Sequence, residues 1–192
     1  VKESHTSEPS AVGGVRAAEV DTDEELEWIA SETEELIETG KSLLAQDKYQ
    51  EALAVFEEAF DFADLDEEPT VYFYLGYTLD ALGKTGPALK NLNEVDQDSG
   101  YEFYHDLVVL RGKLLVETYD YEGALDWLGR YQKANASGGS SKDTLQTAYL
   151  LSSFAFSGVG DIPKAKEALN NSIKINPSSD TASAAKKLLN QL

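Results

Sequence analysis

An alanine returns at near-fixed intervals along this chain, and that recurrence limits its fold more than any other feature. Ala52, Ala88, Ala124 and Ala165 stand 36, 36 and 41 residues apart. Each is followed four residues later by a large apolar residue: Phe56, Leu92, Leu128 and Leu169. In the stretch KYQEALAVFEEAF, the residues Tyr49, Ala52, Phe56 and Ala59 fall three or four apart. That spacing puts them on one helical face, with the glutamates turned away. A small residue between larger apolar ones leaves room for a second helix to approach closely. A period of this length signals an array of supersecondary units, none of which can bury its apolar face alone.

Turn chemistry agrees with the period. Gly83, Asp120 and the Gly160-Asp161 pair punctuate helix pairs. Pro87 and Pro163 lie where a helix has its first turn, and a missing N–H costs nothing there. Pro177 marks the end of a fourth unit, and the ASGGSS stretch at 136–141 is a flexible loop that explains the longer third interval. The pattern predicts helix pairs at about 33–46 and 49–63, 70–82 and 86–97, 102–118 and 121–135, and 143–158 and 162–174. A DTDEE opening at 21–25 starts a helix running from about 24 to 45, with a weak point near Ser31–Thr33. In the last segment, 181–192, Ala182, Ala185, Leu188, Leu189 and Leu192 share one face, as expected of a helix that caps an array.

A small residue also recurs early in each unit, as Gly40, Gly76, Gly112 and Ser153. With Tyr72, Leu75, Leu79 and Gly83 in the second unit, and Tyr121, Ala124 and Leu128 in the third, this pattern resembles the tetratricopeptide repeat (TPR), a helix-turn-helix unit of about 34 residues. The chain departs from it where Tyr131 and Ser172 stand in place of a second alanine, and where the first three units lack the closing proline. The resemblance implies an all-α, right-handed superhelical solenoid of about four repeats over 21–192, at about 33–66, 69–102, 105–138 and 146–179, with 181–192 as the capping helix. It also implies a concave groove lined by the first helix of each repeat. The groove positions map to Ile37 and Lys41, Phe73 and Tyr77, Val109 and Lys113, and Leu150 and Phe154. The function implied is that of a non-enzymatic scaffold binding a peptide or protein segment. The basic clamp with which some TPR domains hold chaperone tails is not rebuilt by Lys41 and Lys113 alone.

Residues 1–20 show no helical period and contain Pro9 and Gly13-Gly14, so they are expected to be a disordered leader or linker. Within them, SAVGGVRAAEV at 10–20 resembles the strand motif of FecR-type bacterial envelope domains, with Ala17-Ala18 in place of that family's Gly-Thr pair. This resemblance implies an extracytoplasmic, periplasmic setting, with the cytoplasm as the alternative. A chain that starts at Val1 and has no Met is expected to be a processed product or an excised piece.

Charge narrows the partners. The net charge is −19, and it is lopsided: residues 1–68 carry 21 acidic against 4 basic side chains, whereas 69–192 carry 14 against 12. Nucleic acid and anionic membrane surfaces both demand a basic face, so neither is expected as a partner. The acidic half serves either solvation and solubility or the steering of a basic protein or peptide toward the N-terminal end. No apolar run is long enough to span a bilayer. Without cysteine there is no disulfide or thiolate chemistry. His5 and His105 are the only histidines, and no zinc spacing or phosphate-binding glycine loop is present. No catalytic residue, metal or cofactor is therefore expected. Two alternatives to the scaffold reading remain: a structural or homo-oligomerising spacer of an envelope protein, and a small-ligand binder with a pocket among Phe73, Tyr77, Lys113 and Phe154.

Overall fold

The alanine period becomes a geometric one. The computed structural model describes residues 23–97, 100–135 and 141–192. The leader, its FecR-type motif and most of the ASGGSS loop lie outside them. The described residues form nine α-helices and no strand: α1 Asp23–Leu44, α2 Tyr49–Phe62, α3 Glu68–Ala81, α4 Thr85–Asn93, α5 Tyr104–Glu117, α6 Tyr121–Asn135, α7 Lys142–Gly158, α8 Ile162–Ile175 and α9 Asp180–Leu189. α1 runs without interruption through Ser31–Thr33, where the sequence predicts a weak point, and Thr33 is buried. α4 stops at Asn93, short of the expected 97.

Ala52, Ala88, Ala124 and Ala165 are all fully buried, as are Phe56, Leu92, Leu128 and Leu169 four residues on. The glycines of the first helices explain why these large side chains fit. A Cβ added at Gly76 would lie 2.6 Å from the Leu92 side chain, and one at Gly112 would lie 2.5 Å from that of Leu128. At Gly40 it would run into the Phe56 ring. The glycine of one helix thus receives the knob of its partner, and each knob contributes about 1.5–3 kcal/mol of burial. In the fourth pair the same place is taken by buried Ser153, whose hydroxyl donates back to the Leu150 carbonyl at 2.6 Å.

One turn serves all four helix pairs. The N–H groups of Lys48, Lys84, Asp120 and Asp161 donate to the carbonyls of Leu43, Leu79, Leu115 and Phe156 at 2.8–3.0 Å. The residue before each donor is in the left-handed region and closes a second bond, to the carbonyl three residues back. This pairing is the Schellman motif, which satisfies helix carbonyls while reversing the chain. Gly83 and Gly160 adopt that conformation freely, whereas Asp47 and Tyr119 hold it at φ 58° and 63°. Ser141, Asp161 and Ser179 then cap α7, α8 and α9 through their side-chain oxygens.

Each helix packs on the next along the chain, and the first helices also pack on one another: α1 on α3, α5 on α7, and α7 on α9. The second helices of the pairs make no comparable contact among themselves. A layer whose members touch is shorter than one whose members splay. The array is therefore concave along α1, α3, α5 and α7. The exception within the inner layer is α3 and α5, which hardly meet directly.

Candidate functional site

The inner face is built from two positions per repeat. Lys41, Tyr77, Lys113 and Phe154 each immediately follow the small residue of their helix; Ile37, Phe73, Val109 and Leu150 each precede it by three. Small residues face the partner helix, so the neighbouring positions turn to the concave side. Tyr77 and Phe154 are 43% and 40% exposed there, which is high for aromatic side chains on packed helices. Val109 and Leu150 are half-buried, whereas Ile37 and Phe73 are buried.

Phe73 is buried because of residues that the repeat pattern does not place. Tyr101 and Phe103, just ahead of α5, lie on the side of α3. Phe103 stacks on Phe73 with ring centroids 4.4 Å apart, and Tyr101 stacks on Phe103 at 5.0 Å. Tyr74 continues the cluster, edge-on to Phe73 at 5.1 Å and stacked on Phe56 at 5.2 Å. This aromatic wedge fills the gap where α3 and α5 would otherwise touch.

Two adjoining cavities result. One of about 650 Å³ lies between α1, the start of α3 and residues 100–103. Another of about 440 Å³ lies between the end of α1, α3 and the start of α5. Lys41, Tyr74, Glu102 and Phe103 line both, so they form one continuous trough. Of the sequence-predicted residues, the trough brings together Ile37, Lys41, Phe73 and Tyr77. Val109, Lys113, Leu150 and Phe154 lie further along the inner face and line neither cavity.

The charges differ from the sequence reading, in which the groove carries two lysines and little else. Both lysines are held by carboxylates. The Lys41 ammonium donates to Glu38 at 2.6 Å and stands 5.9 Å above the Tyr74 ring, and the glutamate holds its pKa above the ordinary value. Lys113 reaches across from α5 to both oxygens of Asp80 on α3, at 2.8 and 3.1 Å. Around the trough the balance is acidic, since Glu34, Glu67, Glu102 and Asp106 join Glu38 there. Burial pushes the Glu67 carboxyl above its ordinary range. Glu67 and Glu102 sit outside the helices, where a helical period carries no signal. The run of aromatics in GYEFYH, at 100–105, is the sequence signal that could have located the wedge.

No group of three or more histidine, aspartate or glutamate side chains among the described residues is placed to hold a metal ion. No helix of the described residues is long and apolar enough to cross a membrane.

Solved structures share this architecture. YrrB, described as a TPR protein with an unusual peptide-binding site, aligns with a TM-score of 0.65 at 22% identity, over 86% of this chain and 79% of its own. The fold is that of the tetratricopeptide repeat. MamA from Desulfovibrio magneticus RS-1, residues 41 to the end, aligns with a TM-score of 0.64 at 18% identity, covering 83% of this chain and 92% of its own. TTC0263, a thermophilic TPR protein of Thermus thermophilus, gives 0.57 at 20% identity over 83% and 82%. No protein-family model matches the sequence, and no curated protein sequence matches it. In TPR terms, the three pairs of a buried knob and the glycine that receives it are intra-repeat contacts, and α9 is the helix that follows the last repeat.

Proposed function

We propose that this TPR array is a non-enzymatic scaffold that binds a peptide or protein segment along its concave face. The observation that carries the reading is the exposure of Tyr77 and Phe154 at one register position of the first helices, with Tyr77 lining a trough large enough for side chains. Exposed aromatics framed by half-buried aliphatics are the usual energetic anchors of peptide grooves. Here the aliphatic frame is Val109 and Leu150, with Phe73 and Ile37 supporting the surface from beneath. Lys113 ties α5 to α3 through Asp80, whereas Lys41 is paired within α1 to Glu38. The acidic balance favours a segment that carries positive charge. YrrB, with its peptide-binding site, is a precedent for a peptide held by a fold of this kind.

The test is a peptide-display selection on the immobilised chain, followed by affinity measurement of the selected peptides. Tyr77→Ala with Phe154→Ala should weaken binding by about tenfold or more while leaving the helical signal unchanged. Undiminished affinity in the folded double variant would sink the groove reading.

A further inference from the structure

We propose that the junction between α3 and α5 is a hinge about which α1–α4 and α5–α9 swing as two bodies, with the Lys113–Asp80 ion pair as its latch. The hinge goes beyond the peptide reading, because its motion needs no ligand.

The two halves are joined thinly in both layers. In the inner layer α3 and α5 hardly meet, although α1 packs on α3, α5 on α7 and α7 on α9. In the outer layer α4 is the short helix, with 9 residues against 14, 15 and 14 for α2, α6 and α8. It packs on α5 more sparsely than any other helix packs on its successor. Rigidity in a repeat array passes only through contacts between neighbours, so the array is least stiff here.

What does cross the junction is able to pivot. Phe103 and Phe73 meet as flat stacked rings, 11° from parallel, and offset stacks persist over a range of centroid positions. Long side chains make the polar links. Arg111 reaches the carbonyls of Leu92 and Val95, and Lys113 reaches Asp80. By contrast, α7 sets buried Ala148, Ser152 and Ala155 against the preceding repeat, and side chains that short cannot follow a swing. Free space is also present. The cavities of about 650 and 440 Å³ have α1 and α3 on one side, and the linker and the start of α5 on the other. A swing widens or narrows them without displacing a core side chain.

The latch lies away from the pivot. Asp80 is seven positions past Phe73 on α3, about 10 Å along the helix. Its partner has a second acceptor, since Glu117, one turn further along α5, lies 3.9 Å from the Lys113 ammonium. Letting go of Asp80 therefore strands no cation. The Lys113 side chain is 40% exposed. An ion pair so placed biases a two-state balance only about two- to fivefold, and salt weakens it by screening.

The chain has no cysteine, so paired nitroxide labels go only where cysteines are introduced. Ala54→Cys with Glu122→Cys spans the hinge, from α2 to α6. Glu122→Cys with Lys187→Cys spans α6 to α9, within one half. All three positions are exposed. Pulsed dipolar EPR on the full chain, from about 20 mM to about 500 mM salt, should give two distances for the first pair, their ratio shifting about two- to fivefold with salt. The second pair should keep a single distance throughout. Asp80→Asn should hold the first pair at its high-salt distribution at every salt concentration. Asp80→Lys with Lys113→Asp should bring the low-salt distribution back. A single distance for both pairs at all salt concentrations would overturn the hinge, as would an equal salt response in both. The latch fails if Asp80→Asn leaves the salt response intact, or if the charge swap behaves like Asp80→Asn. None of these outcomes bears on the peptide reading, which stands or falls on Tyr77 and Phe154.

Discussion

The two inner-layer junctions on either side of α5 are built differently. Toward the C-terminus, α5 meets α7 directly. α7 offers Ala148, Ser152 and Ala155 there, all buried and all on one face by their spacing of four and three. Ser152 accepts a hydrogen bond from Gln132 of α6 at 2.7 Å, which shows that this face looks back at the preceding repeat. The same register positions of α5 are Leu107, Arg111 and Leu114. These are bulky, and α5 stands off from α3. The gap is filled by the Tyr101–Phe103 wedge and spanned by the Lys113–Asp80 ion pair, while Arg111 ties α5 to the end of α4: its guanidinium donates to the carbonyls of Leu92 and Val95 at 3.3 Å and lies over Trp127. Trp127 is itself fixed by its indole N–H, which donates to the Val108 carbonyl at 3.1 Å. Small residues therefore make a closed junction, and large ones make an open junction with a cleft in it. The cleft is where the candidate site lies.

Four changes, two of them with a companion substitution, would break or sharpen this contrast. The largest effect is expected from Phe103→Ala, which removes the centre of the wedge and leaves a cavity beside Phe73. Urea unfolding should show a loss of about 3 kcal/mol. A loss below about 1 kcal/mol would mean that the wedge only lies on the surface of the junction. Arg111→Ala should cost about 2 kcal/mol, because two carbonyl bonds and the stack on Trp127 go together. Arg111→Lys should restore little of it, since an ammonium cannot fork and stack at once. At the closed junction, Ala148→Leu should cost about 2 kcal/mol by overpacking. A neutral result there would show that α7 can retreat and that the junction is less tightly set than its small residues imply. Smallest is Tyr119→Gly in the turn between α5 and α6. Relief of the left-handed strain, offset by glycine's backbone entropy, should give a net gain of about 0.5 kcal/mol in the same assay. The equivalent change Asp47→Gly should gain less, because aspartate tolerates that conformation better.

How much of this was legible before the structure depends on the range of the interactions. Ala52, Ala88, Ala124 and Ala165 announced the array, and Gly40, Gly76 and Gly112 announced the close approach, because both follow from position within a helix turn. The shared register of Lys41, Tyr77, Lys113 and Phe154, one position after each small residue, was readable for the same reason. The wedge was not. Whether GYEFYH continues outward or folds back is decided by the meeting of Phe103 with Phe73, thirty positions earlier in the chain. No local period reports such a meeting. Nor could the pattern show that Glu67 and Glu102, from two separate linkers, would end in one cleft beside Lys41. The early end of α4 belongs to the same event. The Leu92 and Val95 carbonyls are taken up by Arg111 from the next repeat, and the chain is released to form the linker.

The linker also separates two duties between neighbouring residues. Phe103 is buried and props the junction open, while Glu102 beside it is exposed and faces the cleft. A change at Glu102 alters what the cleft attracts without moving a helix, whereas a change at Phe103 moves helices whatever the cleft contains. Under the proposed reading, a single surface codon at Glu102 would change which partner the cleft admits, with the solenoid beneath it inherited intact.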